Sequence, residues 1–294
     1  MDEPIITVII PTHNSEATIQ RCIQSITNQA FPKEKYEIIV VDDGSKDNTV
    51  KLAKAVNADM VIETEPCTLG HARNVGFKKS RTKFIAYIDS DCEAKEGWLE
   101  TIAKELETHQ AITGPIENGF KKNLTSWTEY LFEFSDFNEY RNRSTTPFLP
   151  GCNQAITKEC FNIAGEYPDS HLAEDVFFGS LLKQAGITAY FIPELQIRHL
   201  GVTKLNKLLS KMELYGRFTV RNSKTYDSIY KKMFKSHWRI LAVFFVKIGA
   251  RAIRAKRSKK FSIFLICLPL MILTTTKFCI GIWKELKNHH TNLN

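Results

Sequence analysis

Acidic side chains follow apolar runs at two places in the first third of the chain. Asp89-Ser90-Asp91 comes directly after the apolar run Phe84–Ile88, and Asp42-Asp43-Gly44-Ser45 follows the run 37–41. Two carboxylates one residue apart can approach the same divalent cation, and Mg²⁺ and Mn²⁺ prefer oxygen ligands. A metal held there would neutralise a departing diphosphate. An isolated triplet of this kind is more simply a solvated loop or a pair of helix-capping residues. The apolar run before Asp89-Ser90-Asp91 is what favours the metal-binding interpretation.

Four further groups have residue types that suit a binding or catalytic role. Asp43 could accept hydrogen bonds from a base or ribose. Taken alone, the motif Asp42-Asp43-Gly44-Ser45 is more simply an Asp-Gly turn followed by a helix cap. Arg73, in the first turn of a predicted helix, could make a forked contact with a diphosphate, or be a surface arginine. Glu174 and Asp175 open a helix, where acids are common, and one of them could be a general base. His199 is a metal ligand, a phosphate contact or a structural residue.

The elements that must position these residues alternate between strand and helix patterns. Strands are predicted at 5–10, 37–41, 60–62 and 83–88, with helices at 15–29, 50–56 and 70–79 between them. Repeated strand–helix–strand units predict an α/β fold with a doubly wound, mostly parallel sheet. Ligands of such sheets bind outside the carboxyl ends of the strands, and three of these four strands end in polar residues.

The rest of the chain has a less regular pattern. We predict a helix at 126–140, a turn-rich stretch at 147–153, a helix from Glu174, short strands at 188–192 and 196–199, and a helix at 204–221. The predicted domains are a catalytic domain at 1–225 and a helical region at 226–294. Within the first, 1–110 and 111–225 are two halves.

The C-terminal region is apolar and basic. The apolar stretch 238–249 is followed by 251–260, which has six basic residues and no acid, and by the apolar stretch 261–283, which contains Pro269. We predict an interfacial helix at 238–250. The segment 261–283 is long enough for a transmembrane helix across a core of about 30 Å, and its alternative is half of a soluble helical hairpin. The basic block would place the protein at the cytoplasmic face of the cell membrane.

The composition agrees with this organisation. The 294 residues are 43% hydrophobic, as in ordinary globular chains, and the net charge is +8. Such a charge suits nucleic acid, anionic lipid or a phosphorylated ligand, but much of it lies in the C-terminal region, so nucleic acid is not needed. The seven cysteines are scattered without a C-x-x-C pair, which argues against disulfides and structural zinc. The acidic start predicts no secretory signal peptide.

Six motifs in order give the chain a family resemblance over about residues 4–200. They are Val8-Ile9-Ile10-Pro11-Thr12-His13-Asn14, Asp42-Asp43-Gly44-Ser45, Ala72-Arg73-Asn74, Asp89-Ser90-Asp91, Gly151-Cys152-Asn153 and Glu174-Asp175. This set resembles the family 2 glycosyltransferases of GT-A fold. The resemblance implies an inverting enzyme that uses a nucleotide-diphosphate sugar, usually UDP-linked, with Mn²⁺ or Mg²⁺.

The resemblance also implies roles for individual residues. The nucleotide-sugar contacts would be Pro11, Thr12, Asn14, Asp43, Arg73, Asp89 and Ser90. The metal ligands would be Asp91, Asp89 and His199, with Asp91 the first choice. The sugar or acceptor contacts would be Gly151, Cys152, Asn153 and Glu174, although Cys152 departs from the common Gly-Gly-Asn. Asp175 would be the catalytic base.

The expected function is transfer of a sugar to a hydroxyl of a glycan or lipid-linked acceptor, in polysaccharide, glycolipid or cell-envelope glycan synthesis. The Q-x-x-R-W signature of processive members is absent, which favours the addition of one or a few sugars. A nucleotidyltransferase is the enzymatic alternative, but a glycine-rich basic loop after the first strand is missing. A non-catalytic sugar-nucleotide-binding protein is the other alternative. A basic nucleic-acid binder ranks third.

Overall fold

The structure is a computed structural model that describes residues 3–170, 172–225 and 239–291. The chain forms two compact units. The first comprises Met1–Glu117 and Arg141–Leu200, and the second Asn118–Tyr140 and Gly201–Asn294. This division differs from the predicted boundary at 225, because the helix at 205–225 packs against the C-terminal helices.

The strands lie in two sheets within the described residues. They are β1 (Ile6–Thr12), β2 (Tyr36–Asp43), β3 (Met60–Thr64), β4 (Phe84–Ile88), β5 (Cys92–Ala94), β6 (Ala111–Thr113), β7 (Ile116–Asn118), β8 (Ser144–Thr146), β9 (Asn153–Thr157), β10 (Ala189–Phe191) and β11 (Ile197–His199). The larger sheet has the order β3-β2-β1-β4-β9-β6-β10-β8, and the smaller has the order β5-β11-β7.

The helices alternate with these strands and then continue alone. They are α1 (Ile19–Thr27), α2 (Thr49–Ala55), α3 (Leu69–Lys79), α4 (Trp98–Glu105), α5 (Leu124–Glu133), α6 (Lys158–Ala164), α7 (Glu174–Gln184), α8 (Leu205–Thr225), α9 (Arg239–Arg257) and α10 (Phe261–Thr291). A 3₁₀ turn, Lys33–Lys35, precedes β2.

The first four strands run parallel, as the sequence predicts. β1 pairs with β2 and β4, and β2 pairs with β3, all in parallel register. Every residue of β1 and of β4 is buried, because helices cover both faces of a parallel sheet. The carboxyl ends of these strands therefore lie at one edge. The predicted doubly wound, mostly parallel sheet is confirmed, although β9 joins β4 and β6 in antiparallel register.

One apolar cluster fixes the helices that border the site. Ile9, Ile85 and Tyr87 of the sheet pack in a single cluster with Phe77 of α3 and Phe178 of α7. Burying such side chains stabilises the fold by about 1.5–3 kcal/mol each. The cluster holds α3 and α7 against the same sheet, which sets where their N-termini lie.

The second unit consists of α5, α8, α9 and α10 around a cluster of its own. α5 ends at Glu133, earlier than the predicted 140, and α9 continues through the basic block to Arg257. Trp238, the first residue of the predicted interfacial helix, lies outside the described residues. In the described chain, one helix, Phe261–Asn288, is long and apolar enough to cross a membrane by length and composition, and 33% of its most apolar window is buried.

Candidate functional site

The two carboxylates after β4 have different partners. An Asp89 carboxylate oxygen accepts a hydrogen bond from Arg73 Nη2 at 2.9 Å. The Asp91 carboxylate lies 3.5 Å from His199 Nε2. The pairing of β5 with β11 aligns Cys92 with His199, and Leu200 N–H donates to the Asp91 carbonyl at 2.7 Å. The fold therefore brings His199 to Asp91 across 108 residues of sequence, as the predicted metal site requires.

Among the described residues, Asp91, Cys92 and His199 form a group whose ligand atoms lie within 4.8 Å of one another. Burial, the Cys152 thiol and Asp91 raise the pKa of Cys92 well above its ordinary value. Its Sγ lies 3.6 Å from the Asp91 carboxylate and donates to it. The carboxylate of Asp91 and the imidazole of His199 suit Mn²⁺ or Mg²⁺ completed by substrate phosphates.

Arg73 is completely buried between two acids. Its Nη1 donates to Glu174, its Nη2 donates to Asp89, and its guanidinium carbon lies 5.6 Å from the centre of the Tyr167 ring. A direct contact with diphosphate, as predicted for Arg73, would need an exposed guanidinium. The arginine instead connects the end of β4 to the start of α7, and its charge compensates both carboxylates.

Asp175 is placed by the turn into α7. Ala173 has φ 63°, and Glu174 and Asp175 follow in the first turn of the helix. Glu174 points to Arg73 and is 3% exposed, so it does not offer the predicted contact to an acceptor. The Asp175 carboxylate accepts from Gly151 N–H at 3.0 Å and from Val176 N–H at 2.8 Å.

The surroundings of Asp175 suit proton transfer near neutral pH. Burial raises the pKa of Asp175 to about 7, and the negative charge of Glu174 acts in the same direction. The Gly151 N–H and Arg73 oppose this shift of the pKa. A general base is most effective when its pKa lies near the working pH. Asp175, which is partly exposed, therefore has the properties expected of the predicted base.

The residues of the loop 151–153 are buried and contact other parts of the protein. A Cβ on Gly151 would lie 2.4 Å from Arg73 Nη2, so a larger residue would displace the guanidinium. Asn153 is fully buried; its side chain accepts from Trp98 Nε1 at 3.0 Å and donates to the Leu195 carbonyl at 2.8 Å. Cys152 is 4% exposed. Cys152 and Asn153 are therefore not accessible to an acceptor that approaches from solvent.

Hydrogen bonds join the loops after β1 and β2. Asn14 N–H donates to Ser45 Oγ at 2.8 Å, and the Asn14 side-chain oxygen accepts from Lys46 N–H at 2.9 Å. The Asp43 carboxylate accepts from Cys67 N–H, which connects this edge to the loop after β3. Asn14 and Asp43, predicted to contact the nucleotide, therefore lie at neighbouring strand ends.

Buried polar atoms at the same edge have no protein partner among the described residues. These unpartnered atoms are Thr12 Oγ1 and one carboxylate oxygen of Asp42. Such atoms are costly unless a ligand or water satisfies them. Pro11 precedes Thr12 in β1, and Ser90 Oγ lies 2.8 Å from Ser15 Oγ. Two buried polar atoms without a protein partner in the described part of the chain thus lie at the ends of β1 and β2, where Thr12 and Asp43 were predicted to contact the nucleotide.

A family comparison agrees with this geometry. The model named "Glycosyl transferase family 2" matches residues 7–162 of the 294, more than half of the chain. The chain belongs to glycosyl transferase family 2. The predicted family is confirmed, and glycosyltransferase, the predicted enzyme class, is the class of this family.

Family 2 relatives match over part of their length. Glycosyltransferase AglE of Haloferax volcanii is 39% identical over 102 residues, which cover 33% of this chain and 34% of AglE. Poly(ribitol-phosphate) beta-N-acetylglucosaminyltransferase TarS of Staphylococcus aureus is 32% identical over 109 residues, which cover 35% of this chain and 19% of TarS. The chain thus aligns with about a third of one curated relative and about a fifth of the other.

Solved structures share the fold of this family 2 chain. The mannosyltransferase PcManGT of Pyrobaculum calidifontis, in complex with GDP-Man and Mn²⁺, superposes with a TM-score of 0.61 at 17% identity, covering 97% of this chain and 88% of PcManGT. GalNAc-T7 with UDP, GalNAc and Mn²⁺ gives 0.53 at 19% identity, covering 67% of this chain and 43% of GalNAc-T7. The predicted GT-A type fold is confirmed.

Sequence reasoning missed three residues of this family 2 site. Cys92 was not considered, although it directly follows Asp91 and could have been found as its neighbour. Tyr167, beside Arg73, and Trp98, which holds Asn153, are separated from their partners by 94 and 55 residues. No local pattern indicates such pairs.

Proposed function

We propose that this glycosyltransferase transfers a sugar from a UDP-linked donor to a hydroxyl group in one displacement that inverts the anomeric carbon. The observation that carries the proposal is the position of Asp175. Desolvation raises the pKa of this partly exposed carboxylate to about 7, and Arg73 and Glu174 connect its helix to the Asp89 strand end.

In the proposed reaction the acceptor oxygen bonds to the anomeric carbon as the bond from that carbon to the phosphate oxygen breaks. The acceptor proton moves to Asp175, and the electron pair leaves with the nucleoside diphosphate. Gly151 N–H and Val176 N–H hold the Asp175 carboxylate in position before the transfer. A base and a leaving group on opposite faces of the sugar require inversion, as in inverting hydrolysis.

The donor would bind at the carboxyl edge of β1, β2 and β4. Pro11, Thr12, Asn14 and Asp43 would bind the base and ribose, with Ser90 and Asp89 beside the diphosphate. The position of Asn14 and Asp43 at neighbouring strand ends supports a polar ligand here. The nucleotide would thus bind within residues 1–110 and the acceptor against 111–225.

Asp91 and His199 would hold Mn²⁺ or Mg²⁺. When bound, such an ion neutralises the charge of the departing diphosphate. The donor set, an oxygen and a nitrogen 3.5 Å apart, supports this proposal. The Mn²⁺ in the complexes of PcManGT and GalNAc-T7 also supports it.

The acceptor would be a glycan or a lipid-linked glycan at the cytoplasmic face of the cell membrane. The name of TarS, a transferase acting on poly(ribitol-phosphate), supports a polymer acceptor in polysaccharide or cell-envelope glycan synthesis. The apolar α10 supports association with a membrane.

A thermal-shift screen of UDP-, GDP- and dTDP-sugars with Mn²⁺ tests the donor. We expect UDP-sugars to raise the melting temperature most; a larger shift with GDP-sugars would overturn the UDP assignment. Anomeric NMR of the product formed from the selected donor then tests inversion, and retention of configuration would contradict the single displacement.

The Asp175→Asn variant tests the base. We expect it to lose transfer while its thermal shift with donor and Mn²⁺ stays near that of the wild type. Asp59→Asn is the matched control, because Asp59 precedes β3 at the opposite end of that strand from the site. Normal turnover by Asp175→Asn would remove Asp175 from the mechanism.

A further inference from the structure

Two cations in the middle of helix α9, Lys247 and Arg251, contact the protein, while several of its apolar side chains are exposed. Lys247 Nζ lies 3.9 Å from the centre of the Phe278 ring, and Arg251 Nη2 donates to the Phe132 carbonyl at 3.0 Å. The outer face carries Phe245, which is 69% exposed, and Val246, which is 62% exposed. A helix facing water has the opposite arrangement, with its charged side chains outside. The pattern indicates that water does not cover this face of α9.

Helix α10 continues the exposed apolar surface. We define the docking face as the exposed large apolar side chains of α9 and α10: Leu241, Phe245, Val246, Ile253, Phe261, Leu265, Ile266, Ile272, Leu273 and Trp283. These are ten of the fifteen exposed large apolar side chains among the described residues. From Phe261 to Trp283 the stripe is roughly 33 Å long at 1.5 Å per residue. Exposed apolar side chains concentrated on two helices in this way indicate an interaction surface.

The inner face of α10 is bound to α8 along a close contact. A Cβ on Gly216 of α8 would lie 2.0 Å from the Phe278 carbonyl oxygen, and a Cβ on Gly281 would lie 2.0 Å from the Glu213 carbonyl oxygen. The two backbones therefore touch. Lys284 Nζ lies 2.7 Å from the Glu213 carboxylate, and Lys277 Nζ lies 3.7 Å from it.

This contact decides between spanning a bilayer and lying on it. If α10 crossed a bilayer while bound to α8, the ion pairs of Glu213 would enter the hydrocarbon, where charged groups are costly. In the surface plane, the apolar stripe can face the lipid while α8 and its charges stay on the water side. The packing of α10 thus favours an in-plane position over a transmembrane helix.

The charge beside the docking face suits an anionic bilayer. Lys256, Arg257 and Lys259 are exposed at the end of α9 and in the turn to α10. Other cations of the same block are engaged within the unit, Arg254 with Asp136 at 2.9 Å and Lys260 with Glu139 at 2.7 Å. Basic residues next to an apolar face add attraction to anionic lipid headgroups.

We propose that α9 and α10 form one monotopic docking face that inserts into the surface of an anionic bilayer without crossing it. This proposal deepens the membrane association given under the proposed function and rests on it. The face would hold the catalytic chain at a membrane and leave the water side of α8 hydrated.

Vesicle flotation of the full chain tests whether an anionic bilayer binds to the docking face. We expect the protein to float with phosphatidylcholine vesicles that contain phosphatidylglycerol, and to bind at least about tenfold more weakly to phosphatidylcholine alone. Phe245→Glu with Ile266→Glu removes two apolar contacts of 69% and 57% exposure and should lower binding at least about tenfold. Ile163→Glu, at a 53% exposed apolar residue of the first unit, is the control and should bind as the wild type does.

Three results would overturn the proposal. One is vesicle binding by the double variant at the wild-type level. Another is retention of the wild type in cell membranes after alkaline carbonate, which releases surface-bound proteins but leaves spanning helices in place. The third is a soluble dimer that the double variant abolishes, which would make a second copy the occupant. The donor thermal shift of the double variant should stay unchanged, so a failure of docking is distinguishable from a failure of donor binding.

Discussion

Replacing Arg73 by methionine should destabilise the first unit strongly, because it leaves Glu174 as a buried charge without a cation. Arg73 has 1% side-chain exposure and Glu174 has 4%. Breaking a buried ion pair by removing one partner costs about 3–5 kcal/mol. Asp89 is 29% exposed and can be hydrated, so we attribute most of the loss to Glu174.

The measurement is urea unfolding of Arg73→Met followed by the fluorescence of Trp98, which is fully buried in the first unit. The background carries phenylalanine in place of the other three tryptophans, Trp127, Trp238 and Trp283. With a slope of about 2 kcal/mol per molar urea, the loss lowers the midpoint by about 1.5–2.5 M. Arg21→Met is the control: Arg21 is 49% exposed, and its pair should contribute less than about 1 kcal/mol.

A double-mutant cycle gives the decisive comparison. In a Glu174→Gln background the buried acid is neutral, so Arg73→Met should cost about 1–3 kcal/mol less than in the wild type. An equal cost in both backgrounds would refute the reasoning, because the ion pair between Arg73 and Glu174 would then not be the source of the loss.

Three further predictions concern the same site. The kcat/KM of the wild type should rise as pH increases through about 7, because Asp175 must be ionised to accept a proton. Glu174→Gln removes a like charge beside Asp175 and should move the midpoint of this pH profile to lower pH. A wild-type profile that is flat from pH 5.5 to 8.5 would contradict the assignment of Asp175 as the base. Asp91→Ala should abolish the Mn²⁺-dependent part of the thermal shift with donor, and an unchanged dependence on Mn²⁺ would exclude Asp91 as a ligand. Gly151→Ala should cost about 1–3 kcal/mol of stability, because its Cβ would lie 2.4 Å from Arg73 Nη2. Gly249→Ala, with nothing within 4 Å, should cost nothing, and equal melting temperatures for the two variants would argue against the clash.

The sequence was most informative where the chain forms long, fully buried elements. The runs that became β1, β2 and β4 are apolar because both faces of these strands are covered, and such runs are visible without a structure. The three-residue strands β5 and β8 were not predicted. The equally short β10 and β11 lie within the predicted strands at 188–192 and 196–199. The end of α5 at Glu133 was also missed, because apolar residues continue past it.

For the carboxylates of the site, too, one part could be predicted from sequence and another could not. Their position at the carboxyl edge of the sheet follows from the strand pattern, so Asp43, Asp89 and Asp91 could be predicted from sequence as neighbours. The local pattern did not show that Asp89 pairs with Arg73, whose other partner is Glu174, 101 residues away. His199, 108 residues from Asp91, was predicted beside it only through the family resemblance.

Local sequence thus determined which strands form and where polar residues emerge, since burial of a strand is a property of its own side chains. Only the tertiary structure decided that Arg73 is buried between Asp89 and Glu174, and that Asn153 is enclosed by the scaffold. It also decided that α10 rests on α8. These are contacts between distant segments, and their energies depend on how the packed chain excludes water, which no single segment encodes.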